Sequence, residues 1–596
     1  MGQFDGAERL GRNVLALAPD NAAALNLVAI SLHAQSRNAE AVTLFERLVQ
    51  LEPAMSAHWV NLGTALRAIG RLDAALAAYE RAAVLGERGT DLLYNAGLLH
   101  LDRGDYEAAR LVLRNAHKAA PLDAEISYHY AAACSETLDT QAGIDAVAGW
   151  RRFTGLTTEL VAKIGGLLVN LGAVEKADEA ITQALSDPAP SPAAVLQLVL
   201  ALERVNRLEQ AERLLARLNE VPAGALGSDL SLARARLAQR ASRHDGAVAL
   251  YRQLAAATAQ AERRHLHLYP LAKSLDALGR YDEAFAALVD AHASQTLWTE
   301  RTLPDVARRK SDTMRVTRFG CDQADVERWS HEGAPSFLDS PVFIVAFPRS
   351  GTTLLEQVLD AHPRLRSMDE QPYLQNAIEK LSVDGAHYPE RMAQLTPAQL
   401  QEARDYYWSL VRQRLQLAPG EQLIDKNPLN ILRLPAITRM FPNARILLAI
   451  RHPCDVLLSC FMQHFRAEFA WHCRDVPTLA LAYRRAMDFW YQQAALLRPS
   501  VMEVRYESFV GNFEAEVREV ARFLDLPWTD AMLEPGEHAR KKGFISTPSY
   551  SQVVQPVHLR SIDRWRDYER HLLPAVPELR DYLDRWGYAV PGQNSR

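Results

Sequence analysis

Small residues recur at a nearly fixed interval through the first half of the chain, and that interval limits the fold more than any other feature. Ala7, Ala41, Ala75 and Ala109 stand 34 residues apart, and Gly143, Ala177, Ala211, Ala247 and Ala284 continue the series. A period of this length belongs to a supersecondary unit stacked on copies of itself. Around Ala75 the unit reads WVNLGTALRAIGRLDAALAAYERA, with Trp59, Leu62, Gly63 and Leu66 on one helix face and Ala75, Tyr79 and Ala82 on the next. Gly63 and Ala75 let two antiparallel helices approach closely, while Trp59, Leu66 and Tyr79 fill the space around the contact. Pro53 and Pro121 fall where a second helix must stop, and Gly70, Gly104, Gly172 and Gly279 fall at the turns within units. The unit is a helical hairpin, and its repetition predicts an α-solenoid over residues 1–294. Its aromatic and small residues are core rather than chemistry.

These residues match the tetratricopeptide pattern. The resemblance implies a curved array whose concave surface binds a protein or peptide partner, and it is compatible with a homodimer. Ala7 and Pro19 look like the second half of a repeat, which predicts a start further upstream.

Composition removes several function classes. The 596 residues are 48% hydrophobic and 23% charged, which suits an ordinary globular chain of more than one folding unit. A formal net charge of -5 supplies no basic field, so a nucleic-acid partner is not expected. The five cysteines, Cys134, Cys321, Cys454, Cys460 and Cys473, contain no CxxC pair. That argues against a disulfide framework or a zinc site, and for a reducing, cytoplasmic compartment. No apolar run approaches the roughly 18 residues of a membrane span, so no membrane insertion is expected. Residues 295–336 break the period and are rich in charge, and they are expected to connect the array to a second domain, 337–596.

That domain opens with Pro341 to Phe347, PVFIVAF, a short apolar run suited to a buried parallel strand. The turn Pro348-Arg349-Ser350-Gly351-Thr352-Thr353 follows, and then LLEQVLDAH with helical spacing. Strand, glycine turn and helix together aim free backbone N–H groups and a positive helix end at one point, which suits a phosphate or sulfate group without a metal. Gly351 permits close approach. Arg349 adds a fork of donors, and the hydroxyls of Ser350, Thr352 and Thr353 complete the shell. A nucleoside triphosphatase or kinase would need GxxxxGK[ST] and a magnesium-binding Asp. Here the Lys is missing, and the next strong strand, Ala444 to Ile450, ends in Arg451 instead of Asp. Arg451 and Ser459, in RHPCDVLLSCF, could grip a second phosphate.

FPRSGTT followed about a hundred residues later by IRHPxDxxxS resembles the sulfotransferases that use 3′-phosphoadenosine 5′-phosphosulfate (PAPS), closest to protein-tyrosine sulfotransferases and their tetratricopeptide-linked relatives. The resemblance implies an α/β P-loop-like sulfotransferase domain with a parallel sheet. It implies PAPS as sulfuryl donor and no metal, with the first motif on the 5′-phosphosulfate and the second on the 3′-phosphate. Glu370, 21 residues beyond Arg349, stands where that family carries its catalytic base. Lys426, in LIDKNPLN, matches the lysine that stabilises the transition state. Ser549 aligns with a serine at the transferring group. Tyr506 occupies a nucleotide-contact position, and Arg564 stands where the family has a lysine near the phosphosulfate. His362 is expected to be a structural helix-end residue, Asp425 a solvated neighbour of Lys426, and His464 and His472 either lining for an acceptor pocket or packing residues of an apolar helix. Pro372 and Asn376 replace arginines that recognise acidic residues beside a target tyrosine, and Gln463 replaces another in the nucleotide site. Three functions are therefore carried forward: transfer to protein or peptide tyrosine, transfer to a carbohydrate or small metabolite, and an inactive nucleotide-binding scaffold.

Overall fold

A computed structural model describes residues 2–137, 139–221, 226–302, 312–381, 388, 392–465, 467–542 and 559–593. By packing, the chain divides into two compact units, residues 1–233 and 234–596.

The first unit is a run of antiparallel helix pairs, among them Ser56–Ala68 with Leu72–Val84 and Thr90–Arg103 with Tyr106–Ala119. Close approach rests on the small residues. A β-carbon placed on Gly63 would lie 2.5 Å from Tyr79 Cε1, so only glycine fits against that ring. The turns inside the pairs carry a second periodicity. Ser36, Gly70, Gly104, Gly172 and Asn206 all have positive φ, so the left-handed turn is kept even where serine or asparagine takes the glycine's place.

Helices α1 (His265–Ala277) and α2 (Tyr281–Thr302) continue the repeat in sequence but belong to the second unit by packing. Phe285 and His292 stack on Phe461 at 5.4 and 4.1 Å. His292 Nε2 donates to the carbonyl of Phe461 at 2.8 Å, and Gln295 Nε2 donates to that of Phe465 at 2.6 Å. The expected connection at 295–336 is thus partly helix, since α2 runs to Thr302. Beyond it, Ser330 and Pro335 accept hydrogen bonds from Arg439 and Asn443 of the second unit.

The rest of the second unit surrounds a five-stranded sheet of β1 (Val342–Val345), β2 (Leu365–Ser367), β3 (Gln422–Lys426), β4 (Arg445–Ile450) and β5 (Ser500–Arg505). The order is β2-β3-β1-β4-β5, and every pairing is parallel. β1 and β3 are buried throughout, as their unbroken apolar or paired residues require. Helix α3 (Thr352–Asp360) follows β1, and helix α4 (Pro453–Phe461) follows β4. Because all strands run the same way, their carboxyl-terminal ends meet at one edge, where ligands of such sheets bind. Among the described residues no helix is long and apolar enough to cross a membrane.

Candidate functional site

Each strand delivers one element of the site just beyond its carboxyl end. β1 leads to the glycine turn, β4 to Arg451, β3 ends in Lys426, β2 precedes Glu370, and β5 precedes Tyr506. In the glycine turn Arg349 and Gly351 have φ of +71° and +93°. Gly351 caps α3, and a β-carbon there would lie 2.4 Å from Tyr506 Cδ2. Tyr506 thus closes over the turn. Ser350, Thr352 and Thr353 are buried, and Ser350 Oγ donates to the carbonyl of Phe347 at 2.8 Å, which tightens the turn.

Because β1 and β4 are neighbours, the glycine turn and the turn carrying Arg451 meet. Arg349 Nε donates to Ser459 Oγ at 3.1 Å, and Arg451 Nη1 donates to the carbonyl of Arg349 at 3.2 Å. Arg451 lies 5.0 Å from the centre of the Tyr506 ring and also donates to the carbonyl of Ser561. Burial lowers the pKa of the Arg349 guanidinium, and the nearby charge of Arg451 adds to that effect. A bound anion would relieve both cations. Arg451 Nε is buried without a hydrogen-bond partner among the described residues, so this edge retains an unused donor for such a group.

The flanking residues fix this arrangement. His452 Nδ1 accepts the Cys454 N–H at 3.2 Å, its Nε2 donates to the Ala589 carbonyl at 3.0 Å, and its ring stacks on Trp565. Burial drops its pKa to about 4, so the ring is neutral and structural. Asp455, which the motif reading left without a role, accepts the backbone N–H groups of Asp563 and Trp565 at 2.9 and 2.8 Å. It thereby holds the segment carrying Ser561 beside Arg451. Burial raises its pKa to about 6.

At the other side of β1, Lys426 is fully buried between two carboxylates. Its Nζ donates to Glu370 Oε1 at 2.8 Å and lies 3.1 Å from Glu356 Oε2. Burial opposes its charge, but Glu356 and Glu370 outweigh burial and hold its pKa above the ordinary lysine value. The Glu370 side chain is 38% exposed and reaches solvent, whereas that of Glu356 is fully enclosed. Glu356 was missed in the sequence because it occupies a helix position among apolar neighbours. A carboxylate facing solvent and a cation behind it can take a proton from an acceptor hydroxyl and stabilise charge growing on a leaving oxygen.

Other expected residues stand elsewhere. Asp425 is not solvated: it is buried, accepts from Tyr407 Oη and Asn430 Nδ2 at 2.8 and 3.0 Å, and has its pKa raised to about 6 by burial. Arg564 gives its guanidinium to Asp276 of α1 at 2.8 Å, an ion pair with the last repeat rather than a contact with the glycine turn. His464 packs on His265 and Tyr269, and His472 pairs with Asp312 at 2.8 Å. His362 fills the structural place expected of it, accepting the Arg364 N–H and bonding the Pro527 carbonyl. Ser549 lies outside the described residues.

Residues 341–530 match the profile of the Sulfotransferase family, and residues 1–54, 29–91 and 94–150 match that of the tetratricopeptide repeat. The chain carries a sulfotransferase-family domain. An Aquifex aeolicus (strain VF5) protein described as uncharacterized is 28% identical over 341 residues, covering 53% of this chain and 43% of that protein. Protein-tyrosine sulfotransferase 1 of Danio rerio is 26% identical over 250 residues, covering 40% of this chain and 70% of that one. Protein-tyrosine sulfotransferase 2 of Gallus gallus is 27% identical over 266 residues, covering 41% and 69% respectively. The chain thus spans less than half the length of its Aquifex relative. In all three comparisons identity is below 30%.

Proposed function

We propose that this sulfotransferase domain moves the sulfuryl group of PAPS to an acceptor hydroxyl, a tyrosine of a protein or peptide. The observation that carries the reading is the hydrogen-bonded union of the two turns, Arg349 with Ser459 and Arg451 with the Arg349 carbonyl. Two joined anion sites suit a donor that carries phosphate groups on both the 3′ and the 5′ oxygen of one ribose. Arg349, Ser350, Gly351, Thr352 and Thr353 would hold its 5′-phosphosulfate, and Arg451 and Ser459, with Tyr506 alongside, its 3′-phosphate. When bound, the donor supplies the sulfuryl group.

The chain's own residues then divide the work. Glu370 takes the acceptor proton, and Lys426 holds positive charge against the leaving oxygen, in a site needing no metal. The repeat array recruits the acceptor or a partner protein. Five free, buried cysteines support a reducing, cytoplasmic setting. Pro372 and Asn376, in place of arginines, favour a target without an acidic flank. Labelled PAPS offered with neutral tyrosine peptides, acidic tyrosine peptides and glycans tests this. Transfer to a tyrosine peptide is expected; transfer to glycans alone would replace the acceptor, and no turnover with any acceptor would leave a scaffold. Glu370→Gln is expected to keep donor binding and to lose turnover, and unchanged turnover would refute its role as base.

A further inference from the structure

Glu356 is fully enclosed on α3, with no exposure to the solvent from which an acceptor must come. Its Oε2 lies 3.1 Å from Lys426 Nζ, and its Oε1 accepts from the hydroxyl of Ser367 at the end of β2. Ser367 is itself fixed, since its backbone N–H donates to Asp360 Oδ1 at 2.7 Å, one helical turn along α3. The carboxylate is therefore held from two elements, the helix that begins in the glycine turn and the neighbouring strand. Glu370, by contrast, faces solvent and meets the same Nζ from the other side.

We propose that Glu356 is the fixed counter-charge that positions Lys426, so that the lysine stays charged and in place when Glu370 takes up the acceptor's proton. With Glu370 neutralised, a fully buried ammonium would otherwise face the desolvation cost of its charge with no carboxylate partner. Glu356 removes that difficulty without touching the reacting atoms. The same salt bridge ties Lys426 to α3, whose first residues follow Gly351, so the cation is indexed to the anion-binding turn. Glu356 is thus a positioning residue acting through Lys426. The inference rests on the sulfuryl-transfer reading above.

The test uses the full chain, with kcat for sulfuryl transfer and the dissociation constant of adenosine 3′,5′-bisphosphate measured side by side. Glu356→Gln keeps the shape and an acceptor for Ser367 but removes the charge. Turnover is expected to fall about tenfold or more, with nucleotide affinity kept within about threefold, because Lys426 acts on charge that develops during transfer. In a Lys426→Met background the added Glu356→Gln change should cost less than about twofold, since there is no cation left to position. Turnover of Glu356→Gln within about twofold of wild type overturns the proposal, as does an equal loss in both backgrounds. If the single variant does not fold, the double variant, which removes both buried charges, carries the test. Its turnover should match that of Lys426→Met, and a further loss overturns the proposal. Wild-type protein that transfers sulfuryl to no acceptor defeats the functional reading itself, whereas active wild type beside an equally active Glu356→Gln defeats only this inference.

Discussion

Gly351 offers a sharp perturbation because two costs can be worked separately. Its φ of +93° lies in the left-handed region, where an alanine is disfavoured by roughly 1–2 kcal/mol. Its β-carbon would also lie 2.4 Å from Tyr506 Cδ2, about 1 Å inside ordinary contact. Tyr506 cannot yield freely, because the Arg451 guanidinium lies 5.0 Å from its ring centre. The strain in the first turn is therefore passed to the second. Together these place the cost of Gly351→Ala at about 2 kcal/mol or more; the unliganded turn escapes it by relaxing, binding must restore the native turn at that cost, and nucleotide affinity falls by up to roughly 30-fold. Calorimetric titration with adenosine 3′,5′-bisphosphate reads it directly. Adding Tyr506→Ala removes the collision and leaves the backbone strain, so the double variant should lose less than the sum of the two single losses. A Gly351→Ala protein that binds within twofold of wild type, or strictly additive losses, would refute the close approach of Tyr506 to the turn.

Asp455→Asn leaves one oxygen for two backbone N–H groups and presents an amide to the other, so donor affinity should fall by about 1–3 kcal/mol in the same titration. Unchanged affinity would separate the 561–565 segment from the donor site. His292, buried against Phe461, has its pKa lowered to about 4 by burial. The unfolded chain takes up that proton first as pH falls, so the stabilisation is present above about 6.5 and lost towards 4, about 2 kcal/mol between pH 7 and pH 5. Asp425 and Asp455, whose pKa values burial raises to about 6, act in the opposite sense, so the readout is a difference. The loss of denaturant resistance on going from pH 7 to pH 5 should be smaller in His292→Gln than in wild type, and equal losses would refute the assignment.

The sequence made legible whatever depends on local spacing. Helix pairs follow from a small residue every 34 positions, and the glycine turn follows from an apolar run, Gly351 and a helical pattern in direct succession. Arg451 could be paired with that turn only through the family resemblance, and the pairing of β1 with β4 supplies its physical reason. The features that stayed hidden depend on partners distant in the chain. Glu356 reads as a polar residue in a helix until Lys426, 70 residues on, is placed against it. Asp455 gains its role only from the backbone of residues 563 and 565. Asp276 looks like an ordinary repeat residue, yet its carboxylate accepts from both Arg564 and Tyr568 and draws Arg564 away from the place its resemblance implied. Periodicity likewise groups α1 and α2 with the array, while Phe285, His292 and Gln295 bind them to the second unit.

The central claim is that the turns at Arg349 and Arg451 bind the two phosphate groups of one nucleotide. Titrating the full chain with adenosine 3′,5′-bisphosphate, with and without magnesium, tests it most directly when repeated on Arg349→Ala and Arg451→Ala. The account predicts one saturable, magnesium-independent site that is lost or severely weakened in each variant. Binding that survives either substitution unchanged, or that requires magnesium and prefers ATP, would contradict it.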